Sequence, residues 1–208
     1  MIKAEIAANV EPVFQTLALR DADKVTIVVG SAAMAVHFAE ADAPVPPFSD
    51  VDVLCSRDFF TRTCSQSANL LGMGEFRVRH SGTTPRTRMR SPVLDLYPSE
   101  DDRGTVPFSA CEAMGGTWYP ISYNDCASEE RVEHHRGYRF LKMAELLVWT
   151  AASGREKDIR KIDTLLPTAF DCGLITDEEH ARIVAERDVS ARLRSEHPGR
   201  YYARVPGS

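Results

Sequence analysis

The chain has 208 residues, of which 43% are hydrophobic and 26% are charged, and its formal net charge is −5. That much apolar material suffices for one sizeable core, or for a core domain with a helical appendage. The acidic balance excludes an indiscriminate nucleic-acid coat protein but leaves room for a local basic groove. No apolar stretch is long enough to span a membrane, and the five scattered cysteines contain no C-x-x-C pair. We therefore expect a cytoplasmic protein with reduced thiols, whose cysteines indicate neither a zinc site nor a disulfide framework.

The chain begins with a predicted amphipathic helix, or pair of helices, over residues 2–19. Residues 25–29 then form a short β-branched run, which is typical of a strand buried on both faces. Gly30 and Ser31 end this run with a turn. The spacing of apolar residues predicts a helix after the turn, capped by Ser31 and extending through Glu40.

A pair of acids follows the helix. Three prolines hold the chain extended ahead of a predicted strand over residues 51–54, which Asp50 precedes. Asp50 and Asp52 are two positions apart and so project from one face of the strand. Adjacent carboxylates repel each other unless they are solvated or a divalent cation such as Mg²⁺ neutralises them. Since the glycine-serine turn favours an anion such as phosphate, two interpretations stay open: a metal and phosphate site, or a strand that starts with solvated acids.

The next segments alternate in a way that predicts a basic β-hairpin, after a helix expected over residues 57–71. Five arginines lie along the hairpin: Arg77, Arg79, Arg86, Arg88 and Arg90. Guanidinium groups match phosphate geometry bidentately, which favours a phosphate-rich ligand. Arginines that only protect a solvated sheet edge from association are an equally open explanation.

A lone carboxylate interrupts the next apolar strand, residues 92–97. Asp95 lies in the middle of this strand, where an unpaired charge would be costly, so it requires a cation or a hydrogen-bond donor. Farther along, His134 and His135 suggest a ligand pair, but adjacent histidines do not readily converge on one metal from regular structure. We therefore expect residues 129–137 to form a charged loop or strand.

The remaining chain predicts helices. Residues 139–152 are apolar nearly all round, which indicates a buried helix, and Lys142 and Glu145 are spaced to form an ion pair on it. Gly154 fits the end of this helix. Two charged helices are expected over residues 155–166 and 177–194.

The segment VVGSAAMAVHF, followed by FSDVDV, resembles the signature of the polymerase-β-type nucleotidyltransferase superfamily. The spacing is most similar to the AbiEii-like nucleotidyltransferases, a family that includes bacterial and mycobacterial toxins of toxin–antitoxin pairs. The resemblance implies an α+β fold with a twisted mixed sheet, flanking helices and a helical C-terminal region. It divides the chain into a nucleotidyltransferase core over residues 1–125 and a mainly helical region over residues 126–208, packed on the core.

The same resemblance implies roles for individual residues. Asp50, Asp52 and Asp95 would hold Mg²⁺, or Mn²⁺ in its place, and Gly30, Ser31, Ser49, Lys142 and Asp158 would contact a nucleoside triphosphate. Lys142 and Asp158 would also belong to the catalytic group. The arginine hairpin would contact an RNA acceptor, with tRNA among the candidates, and a cognate antitoxin would be the protein partner.

Two other functions remain open at the level of sequence. A small-molecule nucleotidyltransferase of the antibiotic-modifying kind would use the same carboxylates without the arginines. A catalytically silent domain that binds nucleotide or protein is the other, because Thr150 stands where some relatives of the family carry a lysine.

Overall fold

The computed structural model describes two groups of residues. Backbone and side chains are described over residues 10–15, 17–18, 26–49, 51–55 and 128–196, and backbone alone over residues 76–81, 84–89, 94–98, 105–107 and 120–122. By their contacts the residues divide into two compact units, one of residues 1–106 and 121–141 and one of residues 107–120 and 142–208. The division at residue 125 that the sequence predicts stays a prediction.

The described part of the chain contains a seven-stranded mixed sheet, in the order β3-β4-β5-β2-β1-β9-β8, and a two-stranded sheet of β6 and β7. The strands are β1 (Thr26–Val29), β2 (Val51–Cys55), β3 (Phe76–Ser81), β4 (Thr84–Met89), β5 (Leu94–Pro98), β6 (Thr105–Pro107), β7 (Pro120–Ser122), β8 (Val132–His135) and β9 (Tyr138–Leu141). Strand β2 runs antiparallel to β1 and parallel to β5, and β1 runs parallel to β9. The helices are α1 (Gly30–Glu40), α2 (Met143–Ala152), α3 (Glu156–Asp171) and α4 (Asp177–Glu196). The predicted α+β class is confirmed.

Helix α1 and strands β1 and β2 form the centre of the first unit. Every residue of α1 from Ala32 to Phe38 is buried, because small side chains let the helix pack closely on both strands. Ile27 on β1 and Val53 on β2 are fully buried as well. Burial of a side chain of this size contributes about 1.5–3 kcal/mol, so this strand-helix-strand unit holds the turn at Gly30 in place.

Helix α1 ends at Glu40 as predicted, but its start differs from the prediction. The helix begins at Gly30, with Val29 as its N-cap residue and without a side-chain cap, so the prediction of Ser31 as N-cap is wrong. Since Gly30 itself is helical by its hydrogen bonding, Ser31 lies inside the first turn. At the other end, Asp42 has φ +55° and its N–H donates to Ala39 O, while Ala43 N–H donates to Phe38 O. These bonds form a Schellman motif, which ends the helix before the prolines.

The buried helix predicted over residues 139–152 is also wrong in its first part. Residues Tyr138–Leu141 form strand β9, which pairs with β8 and with β1, and the helix begins only at Met143. A two-residue turn joins β8 to β9, with positive φ at Arg136 (52°) and Gly137 (83°), as in a type I′ hairpin. Pairing with β8 and β1 decides for a strand here, because a segment as short as Tyr138–Leu141 fits a strand as well as a helix.

The N-terminal helical residues pack on this hairpin. Phe14 lies with its ring centroid 6.2 Å from that of Tyr138 and 5.9 Å from that of Phe140. The Arg136 guanidinium lies 4.3 Å from the centre of the Phe14 ring and pairs with Glu11 at 2.7 Å. These contacts offset the free-energy cost of the left-handed backbone conformation at Arg136.

Helices α2, α3 and α4 pack on one another in the second unit, around Leu147, Ile162 and Ile183. Helix α3 continues through Pro167 to Asp171, so the end predicted at residue 166 is wrong. Pro167 removes one backbone hydrogen bond, and the burial of Leu166 and Ala169 beside it outweighs that loss. Every helix in the described residues is too short or too polar to cross a bilayer.

Candidate active site

The turn between β1 and α1 lies against the carboxylate of Asp52. Gly30 has φ +70°, and a Cβ placed on it would lie 3.2 Å from Asp52 Cγ and 3.3 Å from Asp52 Cβ, with the carboxylate oxygen Oδ2 closer still. Glycine is therefore required here twice, by the left-handed backbone and by the close approach of the aspartate. The register explains the approach, because Asp52 pairs with Val29, the residue before Gly30.

The N-terminus of α1 has the properties of an anion site. The first backbone N–H groups of a helix have no partner within the helix, and the helix dipole is positive at that end. No side chain caps α1, and its first turn carries no acidic residue. A phosphate group would satisfy such donors. A helix terminus and a carboxylate therefore meet at Gly30, within reach of the same ligand.

Asp52 occupies a row of paired positions that crosses the sheet. Asp52 pairs with Asp95 of β5, Asp95 with Arg88 of β4, and Arg88 with Arg77 of β3. The backbone register thus places two acids side by side, with an arginine position beyond them. The register therefore puts Asp95 between Asp52 and Arg88, which is consistent with either a cation or a hydrogen-bond donor as its partner.

The arginines of the predicted hairpin lie at mutually paired positions. Arg77 pairs with Arg88, and Arg79 pairs with Arg86, in antiparallel register. Like charges at directly opposite positions destabilise a sheet, and a polyanionic ligand would offset that cost. Arg90 and Asp50 lie outside the described residues, as does the helix predicted over residues 57–71. Ser49 is exposed, two residues ahead of β2.

Lys142 and Asp158 belong to the second unit. Lys142 is the N-cap residue of α2, and its carbonyl accepts from Leu146 N–H at 3.0 Å. The ion pair expected between Lys142 and Glu145 is absent from the described residues, and Glu145 pairs with Arg182 at 3.5 Å instead. The nucleotide contacts predicted for Lys142 and Asp158 remain predictions.

Asp158 has structural partners of its own. It is 2% exposed and accepts hydrogen bonds from the Ser153 hydroxyl and from the Arg155 Nε–H. These residues surround Gly154, whose φ of +70° ends α2 as predicted. The Asp158 carboxylate therefore holds the turn between α2 and α3, whatever else it contacts.

A second group of possible metal ligands escapes prediction from the sequence. His37 of α1 and Glu133 and His135 of β8 converge, with one ligand atom from each within 4.8 Å of the others. The spacing of Glu133 and His135 could have indicated two of the three ligands, because alternate residues of a strand share a face, whereas adjacent residues do not. The third member lies too far away in the sequence to be recognised by spacing.

Comparisons with known proteins give only distant similarities. No protein-family model and no curated protein matches the chain. Among solved structures, it is similar to a putative nucleotidyltransferase from H. pylori, with 14% identity, a TM-score of 0.47 and coverage of 91% of this chain and 78% of that one. The antibiotic-resistance factor ANT(2'')-Ia is 12% identical with a TM-score of 0.43, and the match covers 95% of this chain and 98% of that one. The Megavirus polyadenylate synthase is 12% identical with a TM-score of 0.41, and the match covers 92% of this chain and 36% of that one. Similarities of this strength carry no functional assignment, so the function must be argued from this chain's own residues.

Proposed function

We propose that this chain is a nucleotidyltransferase that moves a nucleoside monophosphate from a triphosphate to an acceptor hydroxyl. The observation that carries the proposal is the meeting of the α1 N-terminus with the Asp52 carboxylate at Gly30. A phosphate donor site beside a carboxylate is the minimum that phosphoryl transfer from a nucleoside triphosphate requires.

The phosphates bind at the β1–α1 turn. Gly30 presents backbone without a side chain, and Ser31 in the first helical turn adds a hydroxyl near the same donors. Ser49, exposed ahead of β2, contributes a further polar contact to the nucleotide in this proposal.

Asp50, Asp52 and Asp95 form the proposed cation site. The proposal is supported by the register, which pairs Asp52 with Asp95 and so puts two aspartates at adjacent positions, where a divalent cation would neutralise their charge. An all-oxygen ligand set suits Mg²⁺, with Mn²⁺ as an alternative. Such an ion, when bound, supplies charge neutralisation for the phosphate oxygens.

In the proposed reaction the acceptor hydroxyl oxygen forms a bond to the α-phosphorus, and the bond from that phosphorus to the bridging oxygen breaks. Pyrophosphate leaves with the electron pair of the broken bond. In this proposal Asp95 lies near the attacking hydroxyl, and its carboxylate accepts the hydroxyl proton. The protein's contribution is positioning and electrostatic stabilisation. Lys142 and Asp158 are assigned to the triphosphate, where a lysine would neutralise charge on the transferred group.

The proposed acceptor is an RNA 3′ end, with tRNA as a candidate. The paired arginines of β3 and β4 support it, because four guanidinium positions in two opposed pairs suit a phosphate backbone. Combined with the sequence resemblance to AbiEii-like proteins, this extends the proposal to a toxin that a cognate antitoxin would neutralise.

The test is a labelling experiment with purified protein. The wild type and Asp52→Asn are incubated with each α-³²P nucleoside triphosphate, Mg²⁺ and total bacterial RNA, and the products are separated on a denaturing gel. Asp171→Asn, an exposed aspartate at the end of α3, is the matched control. We expect label on a discrete RNA band with the wild type and the control, and at least a hundredfold less with Asp52→Asn.

Two results would contradict parts of the proposal. Label that appears on a small hydroxylated acceptor but never on RNA would keep the transferase and refute the RNA acceptor. No label with any triphosphate, although the protein binds nucleotide tightly, would refute transfer and leave a silent binding domain. A circular-dichroism melt of Asp52→Asn shows whether a loss of label reflects chemistry or unfolding.

A further inference from the structure

Three side chains of the first unit point their ligand atoms at one place. His37 Nδ1 lies 3.3 Å from His135 Nε2 and 3.3 Å from Glu133 Oε2, and the last two atoms are 3.7 Å apart. A point about 2.0 Å from all three atoms lies inside this triangle, and zinc bonds to histidine nitrogen and carboxylate oxygen are about 2.0–2.2 Å long. Ligands of a tetrahedral ion with such bonds are separated by about 3.3–3.6 Å.

The protonation of His37 is fixed by its other nitrogen. Nε2 lies 2.8 Å from the carbonyl oxygen of Leu141, which can only accept, so Nε2 carries the proton. In the neutral ring, Nδ1 therefore presents a lone pair to the Glu133 carboxylate and to His135. A histidine that donates one N–H to a backbone carbonyl and offers the other nitrogen is the usual arrangement of a metal ligand.

A hydrogen-bonded cluster without metal is the competing explanation. It requires either that His135 Nε2–H donates to His37 Nδ1, 3.3 Å away, or that a doubly protonated His37 donates to Glu133. Charge-assisted N–H···O bonds are about 2.7–2.9 Å long, whereas the nitrogens of His37 and His135 lie 3.3 Å and 3.7 Å from the Glu133 oxygen. The separations therefore fit ligands around a cation better than bonds through a proton.

We propose that His37, Glu133 and His135 form a zinc site with three protein ligands and a fourth position open to solvent. The two histidines are 1% and 14% exposed, and Glu133, at 44%, provides the open side. Two imidazoles and one carboxylate suit Zn²⁺, whereas Mg²⁺ and Ca²⁺ prefer oxygen alone. Packing orients the imidazoles, since the ring centroid of Phe140 lies 6.3 Å from that of His37 and 5.3 Å from that of His135.

This zinc site is distinct from the proposed active site. His37 is seven residues after Gly30, which is about 10 Å along helix α1. Its ligands come from α1 and from β8, at the edge of the seven-stranded sheet opposite β3. Zinc therefore links the helix that presents Gly30 to the β8–β9 hairpin, and binding stabilises the first unit by mass action.

The experiment measures zinc binding to the full-length protein. Protein freed of metal by a chelator is titrated with Zn²⁺ against a chromophoric indicator, in excess Mg²⁺ so that oxygen-only sites are occupied. We expect one equivalent to bind with micromolar or tighter affinity, and Co²⁺ to give the visible absorption of a tetrahedral ion. His135→Ala and Glu133→Gln should each weaken binding at least a hundredfold, and should abolish the rise in thermal midpoint that zinc causes in the wild type.

His134→Ala is the matched control. His134 is adjacent in sequence, 52% exposed, and pairs with Glu129 at 3.1 Å, so the control removes a histidine with a glutamate partner without touching the cluster. It should bind zinc as the wild type does. Circular dichroism of each metal-free variant verifies folding, and Asp52→Asn should leave zinc affinity unchanged. The proposal is refuted if the wild type binds no zinc below millimolar concentration, or if His135→Ala and Glu133→Gln bind it as tightly as the wild type.

Discussion

Gly30 and Gly173 share a left-handed backbone, with φ of +70° and +69°, but differ in what surrounds them. A Cβ on Gly173 would meet nothing within 4 Å, whereas one on Gly30 would overlap the Asp52 carboxylate. We expect Gly173→Ala to cost about 1–2 kcal/mol in backbone strain alone. Gly30→Ala should cost more, because it adds the steric overlap, and should reduce binding of nucleoside triphosphate at least tenfold.

The measurement for both glycines is chemical denaturation together with nucleotide affinity by titration calorimetry. Gly173→Ala is the control for strain without displacement of the aspartate, so its nucleotide affinity should be unchanged. Equal nucleotide affinities in the two variants would show that the Gly30 turn does not contact the phosphates.

Asp158 allows a second prediction for a single residue. Its carboxylate is buried and accepts from Ser153, which also reaches the Thr150 carbonyl at 2.9 Å, and from Arg155, so Asp158→Ala removes a charged acceptor from the α2–α3 turn and should cost about 2–4 kcal/mol. Asp163 on the same helix is 48% exposed and pairs with Arg187, which also pairs with Asp188. Asp163→Ala should therefore cost less than about 1 kcal/mol. Equilibrium unfolding in urea compares the two, and equal costs would refute a structural role for the buried carboxylate.

Some residues of the candidate sites could be predicted from local sequence and others could not. The role of Gly30 could be predicted, because the β-branched strand before it and the helix after it are both recognisable within a few residues. The His37 cluster could not be predicted, because the other buried residues of the helix that contains His37 are apolar and His37 meets β8 only through the fold. His134 and His135 pointed to the right strand, but the ligands are the alternate residues Glu133 and His135.

Among the helices, α4 has a start that the sequence encodes in full. Thr176 accepts from Glu179 N–H at 3.2 Å, and the Glu179 carboxylate accepts from Thr176 N–H at 2.8 Å, which is a capping box. Thr176→Ala should cost about 1 kcal/mol and lower the thermal midpoint of the protein by about 2–4 °C. Glu178→Ala, an exposed neighbour, is the control and should shift it by less than 1 °C. No shift with Thr176→Ala would mean that packing alone holds the end of α4.

Elements were predictable where the local pattern and the tertiary context agree. Strands β1 and β2 and helices α1 and α4 follow from apolar periodicity and from their terminal residues. Strand β9 was misread because its apolar residues run directly into helix α2 with only Lys142 between them. Strand β9 pairs with β8 through a local hairpin and with β1, more than a hundred residues earlier in the chain, and no local signal encodes the pairing with β1.

At the scale of the molecule, the sheet assembles a polar row from strands that are far apart in sequence. Asp52, Asp95, Arg88 and Arg77 occupy successive paired positions across four strands. The sequence predicted each residue in its strand, but only the register relates them, since a shift of one residue would reverse the face of every side chain. The row runs from the acidic positions beside the α1 turn to the arginine positions at the sheet edge, as a site for a triphosphate and a polyanionic acceptor would require.

That row predicts how RNA binding should depend on salt. If β3 and β4 contact a single-stranded backbone, Arg86→Ala combined with Arg88→Ala should flatten the slope of log affinity against log salt concentration by about 1.4, since each lost phosphate contact removes about 0.7. Arg160→Ala combined with Arg192→Ala is the control, because these arginines are 76% and 65% exposed in the second unit and their loss lowers the net charge equally. Fluorescence anisotropy with labelled tRNA at several salt concentrations measures both. Equal slopes in the two double variants would show that RNA senses only the overall charge, and would remove the arginine hairpin from the acceptor site.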